Sequence, residues 1–156
     1  LVLLYPEESL MKTFARSLLV GALLVSGAAF AETEPSTPQV EARQVLMKSF
    51  GGAAKTLGGM ASGEVAYDAA AAEAAKQALI AGAAEIEAKF TENVEDAASE
   101  AKPEVWTNWD DFLVKAKALG DAATALDVAS AESIGAGMGA IGGSCKGCHT
   151  DYRVQK

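Results

Sequence analysis

Two thiols stand three residues apart, with an imidazole directly after them, in Cys145-Lys146-Gly147-Cys148-His149. On a helix, residues three and four apart are neighbours. Cys145 and Cys148 therefore face one way, and His149, four residues from Cys145, follows on the same side. The two thiols can add across two vinyl groups at one edge of a porphyrin while the imidazole reaches its iron. This C-x-x-C-H pattern attaches a c-type haem. The chain holds 2 cysteines and 1 histidine, so nothing else in it supplies this chemistry. Three duller readings compete. A disulfide of the thioredoxin type normally sits beside a strand in an alternating β/α chain, and no such pattern is present. Zinc would find only three ligands here and needs four in a structural site. The third is a chance match.

A haem held from one side leaves the opposite face of its iron to be filled or left open. Met47 is the foremost candidate for that sixth position, because a thioether is a weak, soft ligand and Met/His ligation raises the reduction potential. From spacing alone the favoured reading of Met47 is core filler, since methionine packs well into irregular gaps. Met60 and Met138 read more simply as core. Arg43 falls on the apolar face of the same helix and needs an anion there. A haem propionate is one bidentate partner, and a carboxylate from another helix is the other. Trp106 and Trp109 read as core or as haem wall.

Four helical stretches must position these groups. Ser36 or Thr37 can cap a first helix, with Pro38 in its first turn. Val40, Arg43, Met47, Phe50, Ala54, Leu57 and Ala61 lie on one face of it, and Gly63 ends it. Asp68 can cap a second helix, with the stripe Ala72, Ala75, Leu79, Ala83, Ile86 and Phe90. Residues 91–102 are rich in acid and lack periodicity, so they read mainly as a solvated loop. Pro103 suits the start of a third helix, carrying Trp106, Trp109, Phe112, Leu113, Ala116, Leu119, Ala123 and Leu126. Ser130 can cap the fourth, with Glu132 in its first turn. In the fourth, Ile134, Met138, Ile141, Cys145, Cys148, His149 and Tyr152 form the buried stripe. That segment also holds Gly135, Gly137, Gly139, Gly142, Gly143 and Gly147, each costing a helix about 1 kcal/mol against alanine. Contact with something flat and large would offset that weakness, and a haem face fits. No alternating strand pattern is present. The fold class expected is all-α, an antiparallel four-helix bundle.

The start of the chain belongs to targeting rather than to the fold. From Met11, Lys12 and Arg16 make a basic region, residues 18–25 a short apolar run, and Ala29-Phe30-Ala31 a cleavage site. A membrane anchor would need about 20 apolar residues. Residues 11–31 are therefore expected to be a cleaved secretory signal, residues 1–10 an upstream over-call of the start, and residues 32–156 the mature domain. Signal cleavage leaves no membrane anchor, and the expected location is the periplasm, an oxidising compartment. The net charge is −8. That disfavours nucleic acid as a partner, since no basic stripe could neutralise phosphates. It suits solubility and guidance toward a basic partner face.

On these residues the chain resembles the class II c-type cytochromes, the cytochrome c′ family. Arg43-Gln44-Val45-Leu46-Met47-Lys48 is similar to the family's first-helix motif, and residues 106–112 to its third-helix signature. Gly142-Gly143-Ser144-Cys145-Lys146-Gly147-Cys148-His149-Thr150-Asp151-Tyr152-Arg153 is similar to its haem-binding ending, including the basic residue four after the histidine. The resemblance implies a four-helix bundle, often a homodimer, with one covalently attached haem c per chain and His149 as proximal ligand. The family has two branches. In one, a methionine four residues after the arginine completes a low-spin iron, and the protein carries electrons to and from redox partner proteins. In the other, a high-spin five-coordinate iron binds nitric oxide or other small gases. The methionine position is Met47 here. The expectation is an electron-transfer protein with His149/Met47 ligation, not an enzyme, with the gas-binding branch as the alternative.

Overall fold

The computed structural model of the chain describes residues 33–155; the expected signal peptide and the ten residues before it lie outside them. The first helix, α1, runs Pro38–Ser62 and stops where Gly63 adopts a left-handed φ of 76°, its amide returning to the Met60 carbonyl. Glycine alone takes that conformation without Cβ strain. Helix α2 spans Ala69–Phe90, and the Asp68 carboxylate accepts from the Ala71 amide to cap it. Helix α5 spans Ala131–Tyr152 and begins with a reciprocal cap between Ser130 and Ser133. Its glycines do not interrupt it.

The expected third helix is divided. One turn, α3 (Glu104–Thr107), precedes α4 (Trp109–Ala125), and Asn108 between them leaves the helical region at φ −120°, ψ 45°. The Asn108 amide closes the first turn on Glu104, and its carbonyl opens the second on the Phe112 amide. The break puts Val105, rather than Trp106, into the buried core at 1% exposure.

The long helices pack in a ring: α1 on α2, α2 on α4, α4 on α5, and α5 back on α1. Leu57, Leu79, Ile134 and Ile141 lie at its centre, all fully buried. Each such side chain contributes roughly 1.5–3 kcal/mol when removed from water. On α1 the buried set is Val40, Arg43, Leu46, Phe50, Ala53, Leu57 and Met60, with Met47 and Ala61 packed half-buried at its edge. On α2 the expected Ala83 yields its core place to Gly82. A Cβ at Gly82 would collide with Phe50 Cε1 and come within 3.1 Å of Leu46 Cδ1. The missing side chain is what lets α1 seat its two large residues against α2.

The acidic loop is more than a solvated surface. Asp96 Oδ2 accepts from the Ser36 and Thr37 amides and the Thr37 hydroxyl at 2.8–2.9 Å. Thr37 thus occupies the cap position of α1 without capping it through its own side chain, and the loop carboxylate binds the two amides just before the helix, near the positive end of its dipole. The other end of the loop zips onto α5. Ala101 bridges Arg153, the Lys102 amide donates to the Tyr152 carbonyl, and the Val154 amide donates to the Glu100 carbonyl.

Candidate haem-binding site

Cys145, Cys148 and His149 occupy the last two turns of α5, all half-buried, and both thiols are free. Burial pushes the Cys145 thiol up and the Cys148 thiol up to about 11, where the Lys115 ammonium only partly opposes the rise. A redox-active C-x-x-C needs the opposite, a thiol whose pKa is depressed. Among the described residues no group of three or more histidine, cysteine, aspartate or glutamate side chains could hold a metal ion, so the zinc reading finds no ligand set. Burial first, and then the neighbouring Arg153, lowers the pKa of His149, against a smaller opposing effect of Glu100. The imidazole is therefore held in its neutral form, the one that ligates a metal.

The end of α5 is fixed from several sides. Arg153 binds Glu100 Oε2 through Nε and Nη2, each at 2.6 Å. The Tyr152 hydroxyl donates to Asp111 Oδ2 at 2.6 Å, and its ring meets Phe112 edge-on at 5.3 Å. Phe112 in turn packs on Phe90 and on Trp109. Lys115 pairs with Asp151 at 2.9 Å. Trp106 lies further along the same wall, its indole N–H donating to the Phe90 carbonyl.

The position of Met47 relative to His149 follows from the α1/α5 register. The two helices run antiparallel: the end of α1 meets the start of α5, where a Cβ at Gly135 would lie 3.8 Å from Ala61 Cβ. At the other end Gln44 and Arg43 reach the loop that also holds Arg153. Met47 lies fourteen residues before Ala61, and His149 fourteen after Gly135. At about 1.5 Å per residue both lie roughly 21 Å along from that contact, hence at one level. Fourteen residues are also close to four full turns, so each keeps to the face its helix turns toward the other. Between them the seam is lined by small residues. Gly51 and Gly58 on α1 and Gly142 on α5 have nothing within 4 Å of where a Cβ would stand. A flat group has room between a thioether on one helix and an imidazole on the other.

Arg43 stands on α1 four residues, about one turn, before Met47. It is 4% exposed, with Nε donating to the Lys89 carbonyl at 2.9 Å and Nη2 to the Glu92 carbonyl. Its guanidinium lies 4.9 Å from the Phe90 ring centre and 5.3 Å from that of Trp106. Neither hydrogen bond is the carboxylate salt bridge weighed above; both partners are main-chain carbonyls at the end of α2, where the helix dipole favours a cation. Desolvation lowers the Arg43 pKa, partly opposed by Glu92. Arg43 Nη1 is buried and has no hydrogen-bond partner among the described residues. A buried charged donor left unpaired is costly, and a propionate is the kind of acceptor it lacks. The small-residue seam, the two thiols and this one orphaned donor all fit a haem.

Met60 is 4% exposed in the core and Met138 packs half-buried against it, in line with the filler reading of both. Sequence reasoning missed the roles of Asp96 and Glu100. The only signal available was that their loop is acidic, which does not say what it touches.

Comparison with known proteins points one way. The profile of the family described as Cytochrome C′ matches residues 38–153. A cytochrome c-556 of Agrobacterium tumefaciens (strain apple 185) is 39% identical over 120 residues, covering 74% of this chain and 94% of that protein. A cytochrome c′ of Cereibacter sphaeroides is 32% identical over 152 residues, covering 90% and 99%. Among solved structures, oxidized R. palustris cytochrome c556 superposes with a TM-score of 0.70 at 26% identity, covering 76% of this chain and 98% of that one.

Proposed function

Because this chain belongs to the cytochrome c′ family, a helical-bundle family of haem proteins whose haem c is covalently attached, we propose that it is a periplasmic electron carrier with His149 and Met47 as its axial iron ligands. Cys145 and Cys148 form the two thioether links, and Arg43 Nη1 receives a propionate. The observation that carries the reading is the common level of Met47 and His149 on facing helices, with a seam of small residues between them. Bound there, the haem supplies a one-electron Fe(III)/Fe(II) couple.

The chain's own residues do the rest. The aromatic cluster of Phe90, Trp109 and Phe112 packs against Tyr152 and supports the end of α5. Arg153, tethered to Glu100, and the Tyr152–Asp111 hydrogen bond hold the last turn of α5, and with it His149, in place. The same order around His149 keeps its imidazole neutral and ready to ligate. A rigid ligand set and a dry site keep the reorganisation between the two oxidation states small, and no substrate is turned over. Among the described residues no helix is long and apolar enough to cross a membrane.

Optical and electron paramagnetic resonance spectra of the ferric holoprotein test the assignment. A low-spin wild type that becomes high-spin in Met47→Ala is expected. A high-spin wild type that takes up nitric oxide or carbon monoxide overturns Met47 ligation and leaves a five-coordinate gas-binding protein in its place.

A further inference from the structure

The charge of this protein is unevenly placed. The net charge is −8, yet the face made by α1 and α5 carries no carboxylate along most of its length. On α1 no acid occurs between Glu41 and Glu64, and on α5 none occurs between Glu132 and Asp151. Three exposed lysines lie within those stretches, Lys48 and Lys55 on α1 and Lys146 on α5, and among the described residues none makes an ion pair. The opposite face of the ring, α2 with α4, carries the acids Glu73, Glu85, Glu87, Asp110, Asp111 and Asp121 against Lys76, Lys89, Lys115 and Lys117, and the last three of those lysines are in ion pairs.

Two of the three lysines adjoin the seam. Lys48 follows Met47, and Lys146 stands between Cys145 and Cys148. By the Ala61–Gly135 register they fall within two residues, about 3 Å, of one level. The exposed surface between them is glycine-rich, with Gly51 and Gly52 on one side and Gly143 and Gly147 on the other, all without a neighbour at the Cβ position. Nothing projects there to hold a partner away from the seam.

We infer that the mouth of the α1/α5 seam, bracketed by Lys48 and Lys146 with Lys55 beyond, is the docking surface for an acidic patch on a redox partner protein. The inference rests on the electron-carrier reading and names the partner chemistry it requires. Charge complementarity supplies the argument. A protein of net charge −8 repels an acidic partner at long range, and an approach to this face meets lysines that no carboxylate among the described residues neutralises in an ion pair. Such an approach aligns the dipole of the carrier before contact, which raises the productive on-rate and makes it fall with salt. It also brings the partner to the side of the molecule where the haem ligands lie.

The sign of the salt dependence is the test. Ferrous holoprotein is mixed with hexacyanoferrate(III), and ferric holoprotein with the hydroquinone of a flavodoxin, an acidic redox protein. Rates are followed by stopped flow as ionic strength rises from about 10 to about 200 mM, a span over which the Debye length shrinks from about 30 Å to below 10 Å. Both rates are expected to fall, by about threefold or more. In the Lys48→Glu/Lys146→Glu double variant both are expected to drop at least fivefold at low salt and then to rise as salt is added. Lys117→Glu, on the opposite face in an exposed pair with Asp121, leaves the wild-type trend intact. Wild-type rates that rise with salt overturn the inference, because net charge alone then governs the approach. A double variant that alters the hexacyanoferrate reaction but not the flavodoxin reaction also overturns it, since the face then attracts small anions only. Thermal melts of each variant establish that it is folded. The ferric spectrum reports Met47 ligation separately: a low-spin protein with the wrong salt dependence loses the docking face and keeps the ligand set.

Discussion

Replacing Arg43 with leucine is expected to destabilise the holoprotein by about 3 kcal/mol. Two charge-assisted hydrogen bonds are lost, from Nε to the Lys89 carbonyl and from Nη2 to the Glu92 carbonyl. Bonds of this kind contribute roughly 1.5–3 kcal/mol each, and the carbonyls left behind sit at the end of α2 without a donor. The contact of the guanidinium with Phe90 and Trp106 adds a smaller loss, since leucine keeps the packing but not the charge. Against this, leucine removes a buried cation whose desolvation cost is large, and about half of the gross loss is returned. For a domain of this size about 3 kcal/mol corresponds to a fall in Tm of roughly 10 °C. Circular dichroism at 222 nm on the ferric holoprotein measures it. Arg43→Lys, which can reach one carbonyl but not both, should fall about midway. Arg153→Gln, which breaks an ion pair with half of the arginine side chain exposed, should cost at most about 1 kcal/mol. With Nη1 on a propionate, Arg43→Leu also lowers the reduction potential, because removing a nearby cation favours the ferric state. A Tm within about 2 °C of wild type would refute the reasoning, since the two carbonyls would then be satisfied without the arginine.

Gly82→Ala should destabilise by about 2 kcal/mol in urea titrations despite alanine's better helix propensity, because its Cβ meets Phe50 and Leu46. Gly52→Ala, exposed and open on α1, should instead gain roughly 0.5–1 kcal/mol. Asp96 is held down at about 2, first by the Ala98 amide and then by Thr37 and Ser36. A carboxylate with a depressed folded-state pKa contributes stability that is complete above its ordinary range and is lost as the pH falls from about 4 toward 2. Asp96→Asn should flatten the stability curve over that window in acid titrations followed by circular dichroism. Cys148→Ser should leave a single thioether, read as a longer-wavelength α band in the pyridine haemochrome. Cys145→Ser/Cys148→Ser should release the pigment into acidified acetone, and pigment that stays on the chain would disprove the attachment.

Local signals in the chain reached far. The order Cys145, Cys148, His149 predicts haem attachment because both thiols and the imidazole must lie within about one turn, and a turn is a local object. The starts of α2 and α5 and the end of α1 were equally legible, since Asp68, Ser130 and Gly63 act on backbone groups a few residues away. Periodicity placed Arg43 on the inward face. It could not say that Arg43 would meet one carbonyl of α2 and one just beyond it and leave Nη1 over, because those partners lie 46 and 49 residues on. It could not see the break at Asn108, where the apolar stripe runs on but the backbone does not. Nor could it tell a solvated carboxylate from Asp96, which binds the start of α1 across about sixty residues.

The question left open by the motif was what stands across the iron from His149, and this was a matter of register. A helical repeat says which face a side chain takes and nothing about how far one helix slides along another. Contact of Ala61 with Gly135 sets that slide, and small residues on both helices permit it. The sequence alone determined that Cys145, Cys148 and His149 stand in a haem-attachment pattern on one helix. Only the packing of α1 on α5 brought Met47 to the level of His149, because that alignment depends on an interhelical contact that no local pattern encodes.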